Sequence, residues 1–415
     1  MKKILSLALV LVMIFSMTAA FTACGNEEPT GETNEDFKVG FIFLHDENST
    51  YDKNFIDAAN AAATALGLKK DQVIMKVGVP EGPECQQAAE DLVDLGCDLV
   101  FADSFGHEDY MIEAAKKYPN VQFCHATGTK AHTEKLANYH NAFASIYEGR
   151  YLAGIAAGMK LNQMIAENKI TAEEAKIGYV GAWPYAEVKS GYTSFFLGAR
   201  SVCPTATMKV EYTNSWFDIA LEREAAIRLI NDGCVLISQH ADSEGAPKAC
   251  EENKVPNVAY NISTISIAPK TALISSKINW EPYMKFIIEK TMAGKGNEIP
   301  YDWCGGIEEG SVQLTELNES IAAPGTQAAI DAAIAQFKAG TLKVFDTSKF
   351  TYKGEKLTSY KADVDSDAAF TPETEVVVTK DGKTYFDESA DGKRSAPYFD
   401  IIIDGITIGA SVVTQ

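Results

Sequence analysis

With 415 residues, 46% of them hydrophobic, the chain exceeds one ordinary core and can build two. Its 37 basic and 57 acidic side chains leave a formal charge of −20, which argues against nucleic acid as a partner and against docking on an anionic lipid headgroup. The 6 histidines never fall at a metal-ligand spacing, no CxxC occurs, and no G-x-S-x-G elbow, P-loop or dinucleotide fingerprint supports an enzyme.

The chain begins "MKKILSLALVLVMIFSMTAAFTAC": Lys2 and Lys3, an apolar run, then small residues before Cys24. Polar sequence follows at once, so residues 1–23 read as an export signal rather than a membrane span. "FTAC" resembles the lipobox of bacterial lipoproteins, with Phe21 where that pattern usually has Leu, and Cys24 is the expected acylation site. Residues 24–36, polar and acidic, read as a tether from membrane to folded body. The 7 cysteines that remain cannot all pair, so at least one thiol stays free. No metal or cofactor is expected.

The folded part repeats itself. "LVDLGCDLVFADSFG" (92–106) returns as "LINDGCVLISQHADSEG" (229–245): a helix tail, a Gly-Cys break, an aliphatic strand and an Asp-Ser loop ending in Gly. Upstream of each copy stand a strand, a polar loop and a helix ("VGFIFLHDENSTYDKNF" and "IGYVGAWPYAEVKSGYTSFF"), then a second, edge-like strand and a second helix. A βαβαβ unit thus occurs twice, from Phe37 and from Ala175. Repeated βαβ units imply an α/β protein of two lobes, each a parallel sheet flanked by helices. Ligands of such sheets bind beyond the carboxyl ends of the strands, so the two Asp-Ser loops are expected to face each other across a cleft.

Lobe 1 is assigned to 37–138, with part of 264–300 returning to it, and lobe 2 to 139–262. Residues 263–346 supply hinge returns and a C-terminal helix. "YEGRYLAGIAAGMK" reads as a helix whose small residues allow close packing against a sheet. After Thr347 the composition turns to Lys, Asp, Thr and Gly, with Asp-Gly hairpin signals in "VVVTKDGKTYF" and "FDIIIDGITIG". Residues 347–415 are expected to form a small β-rich appendage packed on one lobe, away from the ligand.

Four stretches, "YDKNF", "ADSFGHEDYMIEAAKKYPNVQFCHATG", "YEGRYLAGIAAGMK" and "NSWFDIALEREAAIRLINDG", resemble the basic membrane protein family, substrate-binding lipoproteins of ABC importers. The resemblance implies a type I periplasmic-binding-protein-like fold. It also implies a monomer anchored by lipid on the outer face of the cell membrane, a purine ligand, an ABC permease as partner, and no chemistry. Tyr51 to Phe55 occupy the family's first-lobe motif, so Phe55 or Tyr51 would lie against a base. Asn261, Ser263 and Ile278 fall where nucleoside-binding members carry charged ribose contacts, with Lys277 one residue out of step. Their neutrality favours a free nucleobase over a nucleoside.

A purine needs stacking faces and a few polar groups in the ring plane. Trp216, Phe217 and Asp218 leave a strand end, Trp216 to stack and Asp218 to accept from an amine or to cap the next helix. Gln239 and Asp242 leave the aliphatic strand "CVLIS" at its binding edge, with His240 as an orienting or structural residue. Ser104 and Phe105 lie in the facing loop, Phe105 as a second stacking face or as a hydrophobic plug. Asp46 and Trp183 are the choices from the first loop of each lobe, and Trp280 is expected to pack between lobes. A sugar receptor of the same architecture is the main rival, and the absence of Arg from the candidate loops counts against it.

Overall fold

The computed structural model describes residues 35–364, 374–388 and 394–409. Residues 1–23, read as an export signal, and Cys24, read as the acylation site, lie outside them. Among the described residues no helix is long and apolar enough to cross a membrane.

The first sheet is built from β1 (Val39–Ile42), β2 (Val73–Lys76), β3 (Leu99–Ala102), β4 (Gln122–Ala126) and β5 (Tyr139–Ala144). The second contains β6 (Lys176–Gly181), β7 (Thr207–Tyr212), β8 (Leu236–Gln239), β9 (Asn257–Tyr260) and β10 (Ala272–Ile278). Two late strands, β11 (Asp302–Gly305) and β12 (Val312–Leu314), add to the first and second sheets respectively. Sheet orders are therefore β2-β1-β3-β4-β5-β11 and β7-β6-β8-β9-β10-β12, the same path walked twice. All ladders but β10–β12 are parallel in these strands, as crossover helices require. Both faces are covered, so β1, β3, β8 and β9 are wholly buried.

Two assignments shift. β5, placed at the start of lobe 2, pairs with β4 and so closes the first lobe. β10, from the segment expected to return to lobe 1, pairs with β9 in the second sheet; the return is made by the helix Glu281–Met292, which packs on the helix Thr50–Ala65. The chain thus crosses between lobes after β5, after β10 and after β11. Trp280, at the second crossing, is buried in the first lobe against Phe55, ring centroids 4.5 Å apart.

The small residues of the helix Ile146–Ala166 pack on the second sheet as expected, a Cβ at Gly149 standing 2.8 Å from Val312 Cγ1, and on a second neighbour as well. They meet the helix Ala186–Val202: a Cβ at Gly154 would stand 2.1 Å from the Phe195 carbonyl oxygen, and one at Gly198 2.0 Å from that of Tyr151. No side chain fits there, so glycine lets the two backbones touch.

The C-terminal segment is part of the second lobe's core rather than a satellite. Phe345, Phe386, Tyr398, Phe399 and Ile403 are buried in one cluster with Tyr192, Phe195 and Met208. The hairpin at Asp381-Gly382 forms, both residues with positive φ, joining the strands Val377–Lys380 and Lys383–Phe386. The second Asp-Gly does not make one. Ile401 and Ile403 are buried in the core, and the strand Ile406–Ile408 pairs parallel with β7. That pairing also covers β7, which by sequence reads as an edge.

Candidate functional site

The carboxyl ends of the two sheets face each other and enclose a cavity of about 340 Å³. The lobes touch across it. Thr50 opens a helix, and its N–H, which has no partner within that helix, donates to the Asp242 carbonyl oxygen at 2.9 Å; its Oγ1 donates to the same oxygen, also at 2.9 Å. Phe105 meets Tyr185 with ring centroids 5.5 Å apart, and His45 meets Phe217 at 5.4 Å. The cleft is shut in this arrangement.

In the first lobe, Ser49 caps the helix by accepting from the Asp52 amide. That fixes Asp52 beneath the first loop, where its carboxylate accepts from the His45 amide at 2.7 Å and faces His45 Nδ1 at 3.3 Å. Burial works against this charge, but the bonds from His45 and Ser49 outweigh it and hold the carboxyl below its usual value. Tyr51 lines the cavity and donates its hydroxyl to the Asp103 carbonyl at 2.6 Å. The Asp103 carboxyl is buried beside Asp52, and burial first, then that charge, push it well above the carboxylate range. Ser104 and Phe105 follow on the cavity wall, tied back by Glu81, whose Oε1 accepts from Ser104 Oγ at 2.5 Å and from the Gly106 amide at 2.8 Å.

In the second lobe a buried arginine organises the wall. Arg150 donates through Nη1 to the Gln239 carbonyl at 2.8 Å and through Nη2 to His240 Nδ1 at 3.1 Å, with its guanidinium 3.5 Å from the centre of the Tyr260 ring. Since a guanidinium only donates, Nδ1 accepts, and His240 Nε2 carries the hydrogen that it donates to Glu187 Oε1 at 2.7 Å. Burial lowers the pKa of His240, in keeping with a neutral ring. Asp242 beside it has its Oδ1 bonded by Asn261 Nδ2 at 3.0 Å, and burial raises its carboxyl well above the usual range. Trp216 and Tyr185 complete this wall, ring centroids 6.0 Å apart.

Of the residues singled out by sequence, Tyr51, Ser104, Phe105, Trp216 and Asp242 line the cavity. Trp183 and Phe217 lie outside it, in a groove at its mouth. Phe55 is wholly buried behind Tyr51, and Gln239 is buried with its amide donating to the carbonyls of Ala241 and Ser243. Asp218 caps its helix, accepting from the Leu221 amide at 2.9 Å. Asp46 folds back on Asn48. Asn261 is a support for Asp242 and, with Ser263 and Lys277, lines a separate groove.

Sequence reasoning missed Arg150, Glu187 and Tyr260. Arg150 carried a signal: a charge just before the small apolar run 152–159 needs a partner if that face is buried. It also missed Val364, Arg394, Ala396 and Pro397, which line the cavity from the C-terminal segment. The expectation that this segment stays away from the site is therefore corrected; the candidate loops contain no arginine, as read, but Arg394 reaches the cavity from this segment.

Two parallel-sheet lobes joined by three crossings, closed on an aromatic cavity, define a two-lobe solute-binding protein. The chain belongs to the Bmp family, described as PnrA-like ABC transporter substrate-binding proteins, whose pattern matches residues 42–338. It is a binding protein, not an enzyme. A purine-binding protein of Brucella abortus is 31% identical over 83% of this chain and 94% of its own length. A putative ABC transporter glucose-binding protein of Haloferax volcanii is 37% identical over 54% of this chain and 53% of its own. Among solved structures, an ABC transporter solute-binding protein from Conexibacter woesei superposes with a TM-score of 0.58 at 20% identity, covering 74% of this chain and 98% of that one, a likeness of fold.

Proposed function

We propose that the protein is an extracytoplasmic lipoprotein, anchored through Cys24, that binds a purine between its lobes and delivers it to an ABC permease, with the free base preferred over the nucleoside. The observation that carries this reading is the cavity itself: aromatic faces from Tyr51, Phe105, Tyr185, Trp216 and Tyr260, with Ser104, Glu187, His240 and Asp242 as polar groups among them. A flat heteroaromatic ring with donors and acceptors on its rim suits that set. At about 340 Å³ the space is near the lower end of ordinary ligand sites, which favours the smaller ligand. Asn261, Ser263 and Lys277, at or beside the family's ribose-contact positions, lie in the separate groove, which also favours the base. The Brucella relative is named for purines.

A sugar is the second reading. Arg394 on the cavity wall and the Haloferax relative's name favour it. Calorimetric titration with adenine, guanine, hypoxanthine, adenosine, inosine and glucose separates the readings. A nucleobase should bind most tightly, and Trp216→Ala should weaken bases and nucleosides alike. A nucleoside tighter than its base by about tenfold, roughly 1.4 kcal/mol, rejects the base preference; glucose binding with silent purines rejects the purine. Anchoring is checked by Cys24→Ala, which should release the protein from the membrane fraction.

A further inference from the structure

We infer that residues 394–397, outside the family-matched segment, form a strap that is both a wall of the ligand site and a tie between the lobes, and that Ala396 sets the size of ligand admitted. The inference rests on the reading of this cavity as the ligand site.

Three observations converge on it. The strap reaches the cavity: Arg394, Ala396 and Pro397 line it, together with Val364. It is held by both lobes. At one end the Ser395 amide donates to Asp302 Oδ1 at 2.7 Å, and Asp302 begins β11 of the first sheet. At the other end Phe399 is wedged in the second lobe's core, 4.4 Å from Phe345 and 4.6 Å from Phe386 between ring centroids, and the Phe399 amide donates to the buried Glu388 carboxylate at 3.1 Å. The two anchors, moreover, lie only four residues apart in sequence. A segment that short, fixed to both lobes and lying on the cavity, cannot remain in place while the lobes separate. Opening the cleft must break the Ser395–Asp302 bond, and closing it must remake that bond with the strap over the ligand.

The strap's chemistry differs from that of the other walls. Asp52, Glu187 and Asp242 place carboxyl groups on the lobe walls, whereas the strap contributes a guanidinium and the small apolar surfaces of Ala396 and Pro397. Ala396 is buried, so a larger side chain there has only the cavity or the neighbouring core to enter.

The test uses the full folded chain. Ala396→Phe should lower affinity for the best-bound purine of the panel by roughly tenfold or more, with the melting temperature of the ligand-free protein close to wild type. Asp302→Ala should speed ligand release severalfold while Asp302→Asn, which keeps an accepting oxygen for the Ser395 amide, restores the wild-type rate. Unchanged affinity in Ala396→Phe overturns the wall, and equal release from the Ala and Asn variants overturns the tie. Hydrogen exchange gives a readout that needs no ligand: the Ser395 amide should be protected in wild type and lose protection in Asp302→Ala. Free exchange in wild type overturns the strap even if purines bind. Silence of every purine with a protected Ser395 overturns the proposed ligand and leaves the strap standing.

Discussion

The two Asp-Ser loops, one per lobe, come from the same repeat and are held differently at their tips. Asp103 and Ser104 are anchored in the first lobe by bonds from Tyr51 and His125 to their carbonyls, both 2.6 Å, but beyond them Gly106 is held by Glu81, an exposed residue, and Phe105 remains 40% exposed. Loop 240–243 is fastened by Glu222, fully buried, whose carboxylate takes the Ser243 amide at 3.0 Å and the Asp218 amide at 3.1 Å. Gln239, Asn261 and Arg150 hold the same loop from three further sides. An exposed bond exchanges readily with water, whereas buried groups lose a partner they cannot replace. The second-lobe loop is thus preformed along its length, whereas in the first lobe the tip at Phe105 and Gly106 is the part that adjusts when the cleft closes.

The contrast is broken most severely at Arg150. Arg150→Met leaves the Gln239 carbonyl and His240 Nδ1 without the guanidinium in a buried site, and each acceptor stranded in this way costs about 1–3 kcal/mol. Urea unfolding should show that loss. A smaller pair of changes measures the comparison itself. Glu222→Ala strands two amides and should cost about 3 kcal/mol, whereas Glu81→Ala should cost about 1 kcal/mol. Equal costs would mean that both loops are equally preformed.

The repeat explains which parts of this were legible. β3, β6 and β8 announce themselves as aliphatic runs before Gly or Asp-Ser, and because strand ends locate the site, Ser104 and Asp242 followed from β3 and β8, and Trp216 from the end of β7. What periodicity cannot say is which side of a loop faces the cavity. Asp46 and Asp218 sit in the right loops, but each bonds locally, as short polar side chains do near helix starts and turns, while Asn261 is spent on Asp242, 19 residues away. Arg150 and the strap were harder still. The first lies in a helix whose charge calls for a partner without saying which one, and the second anchors on Asp302, 93 residues away in sequence, with no repeat partner to reveal it.

Proton linkage gives a finer test of the buried half. Burial first, against the opposing bonds from Ser243 and the Asp218 amide, raises the Glu222 carboxyl from an ordinary 4.5 to about 7. The folded state then holds this proton more tightly than the unfolded chain. Its contribution is fully present below pH 4.5 and is lost as pH rises through about 7, so stability falls across that window. Glu148 and Glu388, also raised to about 7 by burial, add to the same slope. Glu222→Gln should flatten the fall in melting temperature between pH 4.5 and 7 without abolishing it. A slope identical to wild type would place the proton elsewhere.

The smallest effect separates a cap from a contact. Asp218 lies beside Trp216 and Phe217 in sequence, yet its side chain accepts from the Leu221 amide at the start of the helix Ile219–Asn231, and it does not line the cavity. Its amide also joins the Glu222 network, but through the backbone, which substitution leaves in place. Asp218→Ala should therefore cost about 1 kcal/mol of stability, as loss of a helix cap does, and leave purine affinity unchanged. Asp218→Ser, which keeps a capping oxygen, should recover most of it. Affinity that falls in both variants while stability recovers in Ser would return Asp218 to the ligand, and with it would shift the binding surface of the second lobe toward the mouth, where Trp183 and Phe217 stand.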